Sequence, residues 1–515
     1  MFIRKRKNKS GTTSVAVVDK HGGKYRELKI IGVGSDQSEI RLMEQQARLW
    51  IGRYTGQLSF DFGETGDVVR EVKSALSRVE RTLQNTPQAI LGRIYDEIGF
   101  NAVGDEILRH LVVARICQPL SKVATVEYLK SYFDEDVRLH SIYRYMDKLH
   151  GTQQETVQRI SVEHTMKALG GRIGLVFYDV TTLYFESMPQ PDDELRQPGF
   201  SKDGKTAESQ IVLGLLVSED GYPLSYSVFN GGQYEGRTMI PVIDDFVQRF
   251  GIEDFVVVAD SGLMSAKNVE LLDAAGYKYI IGARIRNESP AVKEWIMSLD
   301  RTDGSMAECR KAGQQRLIVS YSCTRARKNA WNREKGVDRL RKAYAKGTLT
   351  KENVNKRGYN KFLDISKDIT VSINEEKINE DTLWDGLKGY VTNTDLPMKE
   401  VIAQYHGLWV VERAFRIGKG TLEMRPMFHF TPKRIEAHIC ICFVAYKVYK
   451  ELERVIRSTG LGMSVDRVLA IAKTITTLRI RLPNGETLSH TLFTTPQQES
   501  IRPLLDALSL ENGLG

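Results

Sequence analysis

GLVFYDV, residues 174–180, is a continuous apolar run that closes on an aspartate, Asp179. DFVVVADSG, residues 254–262, repeats the arrangement with Asp260. Runs this short, apolar and rich in Val and Phe read as buried strands. Between them, IVLGLLVSEDGYPLSYSVFNGG (211–232) reads as two strands joined at Glu219-Asp220-Gly221, a hairpin turn signal. TMIPVIDDFVQRF (238–250) has helical spacing, as does Ala266–Ala275, and YKYIIGARI (277–285) is a further strand. The order strand, strand, strand, helix, strand, helix, strand predicts a mixed α/β sheet with helices on its faces.

Each aspartate is expected at a strand end, the edge where open α/β sheets place their sites. An acid there costs stability unless it is hydrogen-bonded, ion-paired or bound to metal. One such residue is as readily a turn or cap residue, and Asp260-Ser261-Gly262 is itself a plausible turn. A matched pair points to a shared function. KEVIAQYHGLWVVERAFRIGKG (399–420) reads as one helix that offers a third acid, Glu412. Tyr405, Glu412 and Lys419 are spaced seven apart and fall near one stripe if that helix persists through Gly418. A phenol and an ammonium beside a carboxylate suit contact with a phosphate backbone.

The net charge is +8, and Thr324–Lys361 alone holds thirteen Lys and Arg against three Asp and Glu. Such a run is either a solvated helical face or a segment that contacts phosphates, with Arg325, Arg327, Lys328 and Arg333 as the candidates. The five cysteines form no CxxC pair and the nine histidines no HExxH motif, which leaves a disulfide framework, a zinc site and a metalloprotease unsupported. No apolar run approaches the roughly 20 residues that span a bilayer. The basic start, MFIRKRKNKS, lacks the apolar stretch of a signal peptide, so a cytoplasmic protein is expected.

Residues 1–60 read as a β-rich entry with a hairpin at His21-Gly22-Gly23, and 63–90 carry helical spacing at Val69, Val72, Leu76, Val79 and Leu83. Three short helices are expected within 91–168, with Ser121 as an N-cap, and could form either a DNA-binding helical fold or plain three-helix packing. From 285 to 395 the pattern breaks into the basic segment and strand-like runs RLIVSYS, DITVSI and LKGYVTN, read as an insertion. PKRIEAHICICFVAYKVYKELERVIRS (432–458) reads as a long helix.

Taken together, these stretches resemble the DDE transposases of bacterial insertion sequences, in the IS-four superfamily. The resemblance covers roughly residues 100–455 and rests on FYDVTTLYF, on VVADSGLMS, and on the spacing of Tyr405, Glu412 and Lys419 in YHGLWVVERAFRIGK. GFSKDGK (199–205), WDGLKGYVTN (384–393) and MRPMFH (424–429) are further echoes. One departure is Leu408, where that superfamily usually has Arg.

The resemblance implies an RNase H-like core interrupted by a β-rich basic insertion and preceded by a mainly helical DNA-binding region. It divides the chain into an N-terminal hairpin-and-helix region (1–90), a helical region (91–168), a core in two parts (169–284 and 396–458), the insertion (285–395) and a C-terminal region (459–515). It implies that Asp179, Asp260 and Glu412 are catalytic and hold two divalent ions, Mg²⁺ with Mn²⁺ as a substitute, while Tyr405 and Lys419 contact DNA. Two such ions about 3.5–4 Å apart activate the attacking oxygen and stabilise the leaving one. The implied partners are the transposon's terminal inverted repeats and target DNA, engaged by a homodimer or larger assembly. Two other readings use the same features: an RNase H-like nuclease that only hydrolyses, and a non-catalytic DNA-binding descendant of a transposase.

Overall fold

The computed structural model describes residues 1–21, 23–55, 73–74, 76–186, 193–199, 208–350, 353–355, 358–365, 371–425, 427–482 and 484–510. Outside them lie Gly22 of the expected hairpin, Val69 and Val72 of the expected helix, most of GFSKDGK, and Pro426. The chain separates into two units, Met1–Glu80 with Ile480–Thr487, and Arg81–Arg479 with Leu488–Gly515. Among the described residues, no helix is long and apolar enough to cross a membrane.

In the first unit, β1 (Phe2–Lys7), β2 (Thr13–His21) and β3 (Lys24–Gly34) form an antiparallel sheet in that order. Helix α1 (Gln37–Thr55) packs on it around buried Val15, Val17 and Ala47.

After β4 (Val79–Leu83), the second unit runs through five helices: α2 (Thr86–Ile98), α3 (Glu106–Cys117), α4 (Lys122–Tyr128), α5 (Leu139–Lys148) and α6 (Gln154–Ala168). Ser121 caps α4 by accepting from the Ala124 N–H at 3.3 Å. These helices share one hydrophobic core with the sheet that follows and with a long helix near the C-terminal end.

That sheet contains β5 (Leu175–Tyr184), β6 (Gln197–Pro198), β7 (Ser209–Ser218), β8 (Pro223–Asn230), β9 (Val256–Ala259), β10 (Lys278–Ala283), β11 (Met306–Arg310), β12 (Arg316–Tyr321) and β15 (Leu387–Thr392). Its order is β11-β12-β15-β10-β9-β5-β7, with β6 and β8 both paired to β7. Strands β5, β9 and β10 run parallel, and the other pairings are antiparallel. The β7–β8 turn falls at the expected Glu219-Asp220-Gly221, where Gly221 takes φ +84°, a conformation that suits glycine.

Successive side chains of a strand point to opposite faces, and here each face has its own cover. Leu175, Phe177 and Leu183 of β5 pack with α12 (Met398–His406), α13 (Trp409–Arg416) and α14 (Pro432–Ser458). Val176, Tyr178 and Val180 pack with α7 (Met239–Phe250), α8 (Ala266–Ala274) and α9 (Pro290–Met297). Full burial of each large apolar side chain contributes about 1.5–3 kcal/mol, so the two covers hold the sheet from both sides.

Residues 285–395 do not form a β-rich insertion. RLIVSYS and LKGYVTN became β12 and β15, which pair with each other and extend the central sheet. The reason is burial on both faces: Leu317 and Val319 join one core, Ile318 and Tyr390 the other. What leaves the sheet is the shorter stretch between β12 and β15. Its basic part is a helix, α10 (Cys323–Ala345), accompanied by the small pair β13 (Leu363–Ile365) and β14 (Val371–Ile373) and by α11 (Glu375–Thr382).

Candidate active site

The parallel register of β5 and β9 ends with Tyr178 beside Ala259. Asp179 and Asp260 are the next residues on two strands about 4.8 Å apart. Asp179 is inside β5, which runs on to Tyr184 because β7 continues to pair with it: Asp179 lies opposite Leu215 and Tyr184 opposite Gln210. Asp260 follows directly on β9. By alternation Asp179 shares the Phe177 face, and Asp260 shares the Val258 face. Phe177 and Val258 belong to the core covered by α12, α13 and α14. The two aspartates therefore stand on the side of the sheet that carries Glu412.

The turn after β9 is braced from outside. Leu263 N–H donates to Asp260 O at 3.1 Å, and the Arg284 guanidinium donates to the carbonyls of Ser261 and Gly262, each at 3.0 Å. Asp179 Oδ1 accepts from the Val180 N–H at 2.8 Å. Asp260 Oδ1 accepts from the Tyr405 hydroxyl at 2.9 Å.

Tyr405 does not present its ring to solvent. It is 3% exposed, and its ring meets Tyr390 edge-on at 4.9 Å. Burial first, and then the Asp260 carboxylate, raise its phenol pKa. Gly282 permits the approach, because a Cβ there would lie 2.4 Å from the Tyr405 hydroxyl. The Tyr405 hydroxyl, expected beside DNA, donates inside the protein.

The expected single helix over 399–420 is broken. α12 ends at His406, α13 begins at Trp409, and a wider π-type turn spans Ile417–Thr421. Gly407 sits at the break, where a Cβ would come within 2.4 Å of Phe177 Cζ. Leu408 is 9% exposed and packs in the core, so the position that holds Arg in the resembling superfamily has a packing role here. Glu412 lies exposed in the first turn of α13, with Trp409 and Arg416 exposed on the same helix one turn either way. Lys419 lies in the π-type turn and lines a cavity with Leu213, Leu215, Phe415 and Phe443.

Lys388, on β15, was not singled out from the sequence. Its ammonium lies 4.3 Å from the Tyr405 ring centroid. Burial first, and then Arg325, push its pKa down, while the Asp260 and Glu412 carboxylates hold it up. Arg325 also acts on His406, whose pKa burial and Lys388 lower. Arg325 Nη1 is buried and, among the described residues, has no hydrogen-bond partner. Lys388 thus links α10, β15, the turn after β9 and α13 in one electrostatic neighbourhood. A lone lysine between buried strand residues, LKGYVTN, is the signal that could have exposed it.

The four basic candidates of α10 divide. Arg327 and Lys328 are exposed, and Arg325 faces Lys388 electrostatically. Arg333 is 7% exposed, and its guanidinium grips Asp385 at 2.7 and 2.5 Å and Asp381 at 3.4 Å. Arg333, expected among the DNA contacts, has both arms holding α10 to the segment around α11.

Among the described residues, no group of three or more His, Cys, Asp or Glu side chains stands close enough together to hold a metal ion. Asp179, Asp260 and Glu412 supply hard carboxylate oxygens, the donor type that Mg²⁺ and Mn²⁺ select. Their donor chemistry fits such an ion.

A family model described as "Transposase DDE domain" matches residues 170–447, more than half of the chain. The chain belongs to the transposase DDE-domain family. It is a DNA transposase, an enzyme that cleaves DNA and transfers strands. No curated protein matches it. Among solved structures, this transposase is similar to a piggyBac transposase synaptic complex with hairpin DNA. There the identity is 10%, over 82% of this chain and 71% of that one, with a TM-score of 0.36. It is also similar to a Mos1 transposase paired-end complex with a left transposon end, at 10% identity over 31% and 53% of the two chains and a TM-score of 0.16. The matched span 170–447 contains all three acids, the basic helix α10 and Lys388.

Proposed function

We propose that Asp179, Asp260 and Glu412 form the catalytic centre of this transposase and hold two divalent ions, Mg²⁺ or in its place Mn²⁺, at the scissile phosphodiester. The observation that carries the reading is the register of β5 and β9, which sets Asp179 beside Asp260 on the face covered by the Glu412 helix. Two such ions, when bound, activate the attacking oxygen and stabilise the leaving one. Tyr405 fixes the orientation of Asp260. Glu412, first in line on an exposed helical turn, closes on the aspartates as DNA arrives. Lys419, Arg325, Arg327 and Lys328 contact the DNA backbone.

The strand order β8-β7-β5-β9-β10, with β7 antiparallel to β5, supports an RNase H-like core. The segment between β12 and β15 is then the insertion. The element is read as a bacterial insertion sequence of the IS-four superfamily, and its transposase as a cytoplasmic, nucleoid-associated protein acting on terminal inverted repeats and target DNA. A homodimer or larger assembly brings the paired ends together.

The test uses purified full-length protein, labelled duplexes carrying the element's terminal repeats, and Mg²⁺ or Mn²⁺, scoring nicks, hairpins and joined products. Asp179→Asn, Asp260→Asn and Glu412→Gln each abolish cleavage and leave DNA binding in place. Strand cleavage retained by any one of them removes that residue from the centre. Nicks without joined products in the wild type replace the transposase chemistry with hydrolysis alone.

A further inference from the structure

Arg115, Lys122, His429 and His438 meet inside the second unit. Arg115 lies in the last turn of α3, Lys122 begins α4, His429 stands just before α14 and His438 lies on it. Arg115 and Lys122 are 7% and 5% exposed, as deep as His438. The Arg115 guanidinium donates to the Leu120 carbonyl at 3.1 Å, which holds the loop before Lys122 against it. Both cations act electrostatically on His429 and His438, whose rings face each other at 5.2 Å. Among the described residues, none of the four has an ion-pair partner, and the Lys122 ammonium has no hydrogen bond either. Arg434, which also acts on His429, is by contrast paired with Asp147. Burial first, and then Arg115, push the Lys122 pKa down to about 7. Buried charges are ordinarily paired. A guanidinium stays charged, so a buried ammonium beside it with no acid costs stability that packing does not repay.

We infer that Arg115, Lys122 and His429 form a binding site for one phosphate group. An oxyanion supplies the counter-charge that both cations lack, and it accepts from a guanidinium, an ammonium and an imidazole together. Ser121 and Val123 on either side of Lys122, and Phe428 and Phe430 on either side of His429, are exposed, so the cluster lies just below the surface. The group is either free inorganic phosphate or a phosphate of the DNA backbone. None of the three acids proposed to hold metal takes part.

The first arm of the test follows the melting temperature of full-length protein in chelator as inorganic phosphate replaces chloride at constant ionic strength. A ligand that binds the folded state raises it along a saturating curve, whereas the general stabilisation by phosphate as a salt does not saturate. The wild type gives the saturating curve. Arg115→Gln, which keeps a donor for Leu120, moves its midpoint up by about tenfold, the scale of one charge-assisted bond. Lys122→Met melts higher than the wild type without phosphate, because an unpaired buried charge is gone, and loses the saturating rise. Lys130→Ala, at an exposed lysine of the same region, responds as the wild type does. The second arm is a salt titration of binding to a duplex with the terminal repeats, read by fluorescence anisotropy without metal. Lys122→Met flattens the slope of log affinity against log salt by about 0.9 where the phosphate belongs to DNA, and leaves it unchanged where the phosphate is free. Circular dichroism checks that the variants fold, and Arg115→Gln decides both arms should Lys122→Met not fold. No saturating rise in the wild type together with the wild-type slope in the variants overturns the inference, and so does a saturating rise that the variants retain unchanged. Neither arm reads cleavage, so failure of the proposed catalytic centre leaves the result standing.

Discussion

The Tyr405 hydroxyl donates to Asp260 Oδ1 at 2.9 Å, joining two residues 145 positions apart. The bond crosses from the last turn of α12 to the turn after β9. It reaches through the gap left by Gly282, and the Tyr390 ring supports the phenol from the side. A carboxylate at a strand end can rotate, and this bond removes that freedom from one oxygen and leaves the other for a ligand.

Tyr405→Phe therefore keeps the packing and releases Asp260. Loss of an outer partner of a metal ligand costs 10–100-fold in metal affinity as a rough scale. The divalent-ion concentration for half-maximal cleavage rises by about that factor, while affinity for DNA without metal stays at the wild-type level. Gly282→Ala displaces the hydroxyl and reproduces the shift. An unchanged metal requirement in Tyr405→Phe would show that the bond has no part in ligand placement.

Lys388 supplies positive charge near Asp260 and Glu412 before any metal arrives. Its replacement by Met keeps the length and removes the charge. Burial and Arg325 already disfavour that charge, so in the presence of a chelator Lys388→Met is no less stable than the wild type. Without the ammonium the Asp260 and Glu412 carboxylates attract a divalent ion more strongly, so added Mg²⁺ stabilises Lys388→Met more than the wild type. Urea unfolding with and without metal checks this, and an equal gain from metal in both proteins assigns Lys388 to packing alone.

The basic helix makes two separable predictions in one experiment. Arg333→Ala strands Asp385 in a partly buried site, while Asp381 keeps Arg286 and Lys361, and costs about 3 kcal/mol, the low end for breaking a buried pair. Arg327→Ala/Lys328→Ala leaves stability unchanged and flattens the salt dependence of DNA binding by about 1.8, from two contacts at 0.9 each. Thermal unfolding and salt titration of the same variants distinguish the two kinds of arginine.

Much of the sheet was legible because its strands are locally apolar. GLVFYDV, IVLGLLVS and DFVVVADSG declare themselves without any partner, and the turn at Gly221 needs only its own residues. The limits of β5 were not legible: the Thr181-Thr182 pair interrupts the apolar run, and only pairing with β7 carries the strand to Tyr184. The helix break at Gly407 was hidden for a similar reason, since its cause is the close approach of Phe177 from another element. RLIVSYS and LKGYVTN were visible as strands, but their membership of the central sheet depends on the β12–β15 register. Arg333 cannot be told from Arg327 by composition, because its burial is created by Asp381 and Asp385 some fifty residues away.

Three histidines make the fold sensitive to acid. Burial first, and then neighbouring Lys and Arg, lower the pKa of His164 to about 4 and of His429 to about 3, and push His438 well below its ordinary value. For His429 and His438 those neighbours are Lys122 and Arg115, and their own rings face each other at 5.2 Å. In the unfolded chain each histidine titrates near the usual value of about 6.5. Above that pH both states are neutral and the groups contribute no slope. Below it the unfolded chain binds protons that the folded chain refuses, so stability falls as pH falls. Between pH 6.5 and 5.5 the unfolded group goes from half to mostly protonated, a loss of about 1 kcal/mol for each fully shielded group, and about 2 kcal/mol for the three after discounting their partial exposure. The direction is that of a base whose folded pKa is depressed: the stability is present above the unfolded value and lost on the acid side. His429→Gln/His438→Gln removes two of the three and flattens the slope of unfolding free energy against pH over this window. His164→Gln flattens it further and independently, because its cationic neighbours are Lys447, Arg454 and Lys167. A slope that survives all three substitutions would assign the acid sensitivity to carboxylates instead, whose titration lies mostly below pH 5.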